Sequence, residues 1–198
     1  MLSGFVIRVA LMFGFCVLTG PSLVAQDERG YDDITIRSLN LRLNADRARR
    51  MARPDRSPQQ AFAELQEDFK RLQIMNLEFV KSITAPNGLD YKFIAKSASE
   101  INKRADRLRT NLALPDADRT GEKPLEVATN ELQMKKSMLR LGKLIYSFSH
   151  NPYFDEASVL EATTATQARR ELDQIVDLSK QIKTDSEKLR TASAEKKP

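Results

Sequence analysis

From Phe62 to Ile83 the apolar residues Phe62, Leu65, Phe69, Leu72, Phe79 and Ile83 recur in alternating steps of three and four, with Asn76 as the one polar step. This spacing puts one residue per turn on a single helix face. Ser57 suits an N-cap, Pro58 the first helical position, and Gln60 can close a capping box on Ser57, so a helix is predicted over 58–84. Ala85-Pro86-Asn87-Gly88 is a turn signal. Asp90 can then cap a second helix over 90–114, in which Ile94, Ala98, Ile101, Ala105, Leu108 and Leu112 repeat the spacing. Its small Ala98 and Ala105 leave room for the large Phe62, Phe69 and Phe79. Lys103, Arg104, Arg107 and Arg109 fall largely on its other faces.

Pro124 sits well at the start of a third helix, predicted over 123–148. Met134, Met138, Leu141, Ile145 and Phe148 form one stripe, while Leu125, Ala128, Leu132 and Leu139 fall nearly opposite. A helix apolar on two sides is expected to be the most buried of the set or to meet a partner as well. Gly142 costs about 1 kcal/mol against alanine inside a helix. A close backbone approach is therefore expected there.

His150-Asn151-Pro152 ends that segment, and Asp155 can cap the longest pattern, over 155–191. Ala165, Ala168, Leu172, Ile175, Ser179, Ile182, Ser186 and Leu189 keep the heptad spacing. From Glu156 to Thr191 such a helix is about 54 Å long, against about 40 Å for the first. It must overhang the bundle, bend near Thr163-Thr164, or fray into the charged tail 193–198. The mature prolines lie between or at the ends of these segments. The expected fold is all-α: an antiparallel up-down four-helix bundle over 57–192, with a basic N-terminal arm and a long C-terminal helix.

The first residues read differently. Arg8 precedes an apolar run from Val9 to Leu18, Pro21 breaks it, and Leu23-Val24-Ala25 offers a small residue for cleavage before Gln26. This is the pattern of a secretory signal peptide over 1–25. The run is well short of the ~20 residues a spanning helix needs, so an uncleaved anchor is the lesser reading. Periplasmic or extracellular localisation follows as an expectation. Cys16, the chain's single cysteine, lies in this segment, so the mature part has no disulfide framework and no thiolate site. Residues 26–56 are ambiguous between strand and helix periods, but their charge is distinctive. Arg37, Arg42, Arg47, Arg49, Arg50, Arg53 and Arg56 face only Asp46 and Asp55 between the first and last of them. The chain's net charge is +5, and Arg8 leaves with the signal segment, so the +5 carried between Arg37 and Arg56 exceeds the remaining +4. Arg42, Arg47, Arg49, Arg50, Arg53 and Arg56 are the candidate interaction residues, suited to an anionic envelope surface. Lys135, Lys136, Arg140 and Lys143 form a second, local positive patch on the third helix.

Motifs for catalysis or cofactors are sparse. The one histidine, His150, stands at a helix end. No Glu-x-x-His pair for a di-iron bundle and no Cys-x-x-Cys-His for covalent haem is present. A haem held by His150 and one of Met75, Met134 or Met138 is a formal alternative, but methionine at core spacing usually fills gaps. Glu64, Glu67, Asp68, Asp173 and Asp177 read as solvated faces paired with Lys70, Arg71, Arg169 and Lys180. No nucleophile-elbow context surrounds any serine. The basic arm lacks interleaved aromatics that stack bases, which argues against nucleic acid.

The expectation is an exported, non-enzymatic helical-bundle protein without catalytic, metal or cofactor-binding residues. It would act in the cell envelope as an interaction or adaptor protein, on an anionic surface or another helical protein. The second apolar face of the third helix is equally consistent with core burial and with a homo-oligomer. The alternative is a small-ligand or cofactor-binding bundle, with a polar cavity around Asn76 facing Thr163, Thr164 or Thr166.

Overall fold

A computed structural model describes residues 58–112, 114–118, 124–154 and 162–195. The signal segment 1–25, the arm 26–56 with all six candidate arginines, residues 155–161 and the end of the tail lie outside the described residues. What is described contains α1 (Pro58–Ile83), α2 (Tyr91–Asn111), α3 (Glu131–Ser149), a 3₁₀ turn (Pro152–Phe154) and α4 (Ala162–Glu195), with no strand among these residues.

Local chemistry sets most of the boundaries. The Asp90 carboxylate accepts from Lys92 N (2.9 Å) and Phe93 N (3.0 Å), capping α2. In the turn before it, Gly88 has φ +80°, a backbone conformation that favours glycine. The third helix begins later than the predicted 123. Residues 124–129 are not helical, because Asn130 is the real cap: its side chain accepts from Gln133 N (3.0 Å). Gln133 Oε1 answers by accepting from Thr129 N and Thr129 Oγ1 (2.8 and 2.7 Å). An Asn and a Gln three residues apart form the reciprocal cap that outweighs Pro124 as a start.

Packed neighbours are antiparallel, as expected, but the up-down alternation along the chain is not kept between α2 and α3, because a long connection, not a short join, links them. α1 packs on α2 and α3, and α4 packs on the same two, so α1 and α4 stand diagonally opposed. Contacts give the directions. Asp68 lies opposite Arg104 and Arg107, and Asn76 opposite Gly142, so α2 and α3 both run against α1. Asn102 reaches Val176 O and Ser147 reaches Glu171, so α4 runs against both. Every neighbouring pair is antiparallel, and the diagonal pairs are parallel. α2 and α3 therefore start at the same end, where Glu131 lies beside Gly88. The connection between them returns the length of the bundle. Its first described part meets the beginning of α4, through Asp116 with Arg169 (3.4 Å) and Asp118 O with Arg170 (3.3 Å). The second meets Asp185, about 24 Å further along α4.

The core follows the stripes, except that Phe62, expected to fill space beside the α2 alanines, is only half-buried near the start of α1. Phe69, Leu72, Phe79, Ile94, Ala98, Ile101, Ala105, Leu108, Met134, Met138, Leu141, Ile145, Phe148, Ala168, Leu172 and Ile175 are fully buried. Each large side chain removed from water contributes about 1.5–3 kcal/mol before entropy is counted. At one end the 3₁₀ turn folds Phe154 against Phe69 and Phe148, each with ring centroids 5.1 Å apart, in edge-to-face geometry. At the other end α4 outruns its partners: 34 residues against 19 in α3, and residues 187–194 are exposed apart from the half-buried Leu189.

Candidate functional site: the outer face of α3

Some charged groups are spent inside the bundle and others are left on its surface. Asp68 is 2% exposed, not on a solvated face as its sequence neighbours suggest. Arg104 Nη1 donates to it at 2.9 Å, and Arg107 engages both oxygens, with Nε at 2.7 Å. This hydrogen bonding, with the carboxylate's charge, holds the Arg107 guanidinium above its ordinary range. Asp173 is also buried, between Arg169 of its own helix and Arg109 of α2 (both 3.3 Å). Each of these carboxylates is engaged by two guanidinium groups and ties α2 to a neighbour, Asp68 to α1 and Asp173 to α4. The sequence assigned Asp173 one correct partner, Arg169. It missed the partners on α2, because nothing in one helix reveals which arginine of another will face it.

Glu171 differs. It is 8% exposed and has no cation paired with it among the described residues. Its Oε1 accepts from Ser147 Oγ (2.6 Å) and Gln167 Nε2 (3.0 Å), while its Oε2 is buried without a hydrogen-bond partner.

Ser147 leads to the surface. Lys136, Leu139, Arg140, Lys143, Leu144 and Ser147, all on α3, line an open groove of about 550 Å³. Beside it runs a row of large apolar side chains at steps of seven: Leu132 (64% exposed), Leu139 (45%) and Tyr146 (60%). Three exposed residues seven apart stay on one side of a helix, opposite the buried row from Met134 to Phe148. Lys136, Arg140 and Lys143 are exposed and have no ion-pair partner among the described residues. Lys135 does have one, Glu131 at 2.8 Å. The expected second stripe is thus partly corrected. Leu132 and Leu139 do face outward, but Leu125 and Ala128 precede the helix, Ala128 is buried, and Tyr146 takes their place in the row.

No protein family, curated protein or solved structure matches this chain. Site and chemistry rest on the residues themselves.

The remaining sequence candidates are separated from one another. His150 is the C-cap of α3; its ring stacks on Tyr146 (centroids 3.8 Å apart), and its Nδ1 lies 2.8 Å from Tyr146 O. A carbonyl only accepts, so that bond places the ring proton on Nδ1. Met134 and Met138 are fully buried, and Met134 Sδ accepts from Ser186 Oγ (3.8 Å). Asn76 Nδ2 donates to Gly142 O (3.2 Å), midway along α3. Thr163, Thr164 and Thr166 lie in the first two turns of α4, nearer its start than Glu171, the partner of Ser147, and Thr166 Oγ1 donates to Ala162 O. Asn76, at the level of Gly142, and these threonines, at the start of α4, stand at different levels of the bundle. Among the described residues no three His, Cys, Asp or Glu side chains gather as a metal-binding group, and no helix is long and apolar enough to cross a membrane.

Proposed function

We propose that this is an exported, non-enzymatic bundle protein that docks on a component of the cell envelope, with the outer face of α3 as its contact surface. One observation carries the reading: Leu132, Leu139 and Tyr146 expose their apolar bodies in a single row beside three cations without ion-pair partners among the described residues. Exposed apolar residues scattered singly need no explanation, but an aligned row flanked by uncompensated charge is a contact surface in the ordinary sense. The export signal over 1–25 supplies the compartment, and the Arg42–Arg56 arm adds charge of the same sign.

Site-specific photo-crosslinking in the native host tests this. A crosslinker at Leu139 is expected to capture an envelope component, and one at Glu67, on the exposed side of α1, is not. The mature N-terminus should be Gln26, read by mass spectrometry of the envelope fraction. Equal capture from both positions, or a cytoplasmic chain with its leader intact, rejects the proposal.

A further inference from the structure

Resting on that reading, we infer that the surface the outer face of α3 engages is a bilayer rich in anionic phospholipid. Four features of the face select this occupant.

The first is charge. The groove presents Lys136, Arg140 and Lys143, and the one carboxylate bonded to a groove residue, Glu171, is buried behind Ser147. The arginines at the helix contacts are engaged inside the bundle, Arg104 and Arg107 by Asp68, and Arg109 and Arg169 by Asp173. The three groove cations stand together without an ion-pair partner among the described residues; such a cluster attracts an anionic partner, and Lys and Arg near an anionic membrane contribute about 1 kcal/mol each.

The second is repulsion. Two copies of this face placed together would oppose six cations, and the chain's own Arg42–Arg56 arm carries the same sign, so neither is a stable cover. The third is area. Two leucines and a tyrosine, each roughly half exposed, offer on the order of 300 Å² of side-chain surface, against about 800 Å² per partner in a stable protein complex. A bilayer does not need that area, because apolar insertion and headgroup attraction add to each other. The fourth is the ordering of chemistry along α3. Leu132, Leu139 and Tyr146 span about 21 Å on one line with the cations to one side. That is the arrangement of a helix lying in an interface plane, and tyrosine is a residue favoured at headgroup level.

The test is co-flotation of the exported protein, purified from its host, with vesicles of phosphatidylcholine alone or with phosphatidylglycerol. Wild type is expected to float only with the anionic vesicles, and to release at high salt. The variants K136Q/R140Q/K143Q and L132S/L139S/Y146S should each weaken partition on the order of tenfold, with helical circular dichroism unchanged, since all six side chains are on the surface or the groove. A third variant, with Arg42, Arg47, Arg49, Arg50, Arg53 and Arg56 changed to Gln, measures the arm separately. Wild-type affinity in both α3 variants overturns the inference, whatever the arm variant does. So does failure of wild type to float with anionic vesicles. In that case, continued capture of an envelope protein from Leu139 leaves the docking surface standing with a different occupant, and no capture removes both.

Discussion

The buried carboxylate of Asp185 on α4 accepts a 2.8 Å hydrogen bond from the backbone N–H of Ala128, in the non-helical segment leading into α3. Its other oxygen accepts from Gln181 Nε2 at 2.8 Å. The bond fastens the end of the long connection to the last helix and satisfies a donor that the delayed start of α3 leaves outside any helix. Asp185→Ala is expected to cost about 1–3 kcal/mol, the penalty for an unsatisfied buried donor. Hydrogen exchange at Ala128 should accelerate far more than exchange at Leu141. Equal acceleration at both would mean that the bond is not a local anchor.

Asp68 holds Arg104 and Arg107 together, and their side chains differ in exposure: 19% for Arg104 and 50% for Arg107. Asp68→Ala removes the countercharge from a largely buried guanidinium and should destabilise the bundle by about 3–5 kcal/mol. Arg107→Ala, at a half-exposed pair, should cost about 1 kcal/mol or less. Urea unfolding of the two variants checks the order.

At Gly142, a Cβ would lie 2.8 Å from Val80 Cγ2 and 3.2 Å from Asn76 Oδ1. Gly142→Ala gains about 1 kcal/mol of helix propensity but forces α1 and α3 apart, and a stiff β-branched neighbour gives little. Net destabilisation is expected, with recovery in the double variant V80A/G142A. A double-mutant cycle on thermal unfolding measures the coupling. An additive cycle would show that the helices are not in contact there.

Tyr91 gives a handle on the shared end of α2 and α3. Burial, then the charge of Glu131, raises its phenol above the ordinary 10.0, with Lys135 acting the other way. The unfolded chain therefore ionises first. Stability contributed by Tyr91 is present below pH 10 and is lost as the pH climbs through the folded value. Ultraviolet difference titration should show one phenol ionising late in wild type and missing in Tyr91→Phe. Glu131→Gln should bring it back toward the ordinary range.

Much of this fold was legible because packing obeys a period. Phe69, Leu72, Ala98, Ala105, Met138 and Leu172 were assigned to the core from spacing alone, and all are fully buried. Gly142 was legible as a close approach because glycine in a helix demands a reason. What could not be read was pairing between helices. Asp68 resembled its solvated neighbours Glu64 and Glu67, and only the crossing of α1 over α2 brings two arginines to it. The start of α3 was readable in hindsight from Asn130 and Gln133, but Pro124 was the louder signal. On the outer face, Leu132 and Leu139 are legible as a second apolar side; Tyr146 is not, because tyrosine joins an apolar ring to a polar hydroxyl and suits core or surface equally.

The connection that carries the chain from the end of α2 back to the start of α3 also dictates when the protein can exist. α2 shares its most extensive interface with α4, and Asn102 must wait for Val176, a separation of 74 residues. Until the last helix has been synthesised, Ile101, Ala105 and Leu108 have only part of their cover. A nascent chain emerging N-terminus first can form the α1–α2 hairpin but cannot close around it. Folding of the whole is therefore held back to the final stage of synthesis. That delay keeps the polypeptide threadable for as long as it is incomplete.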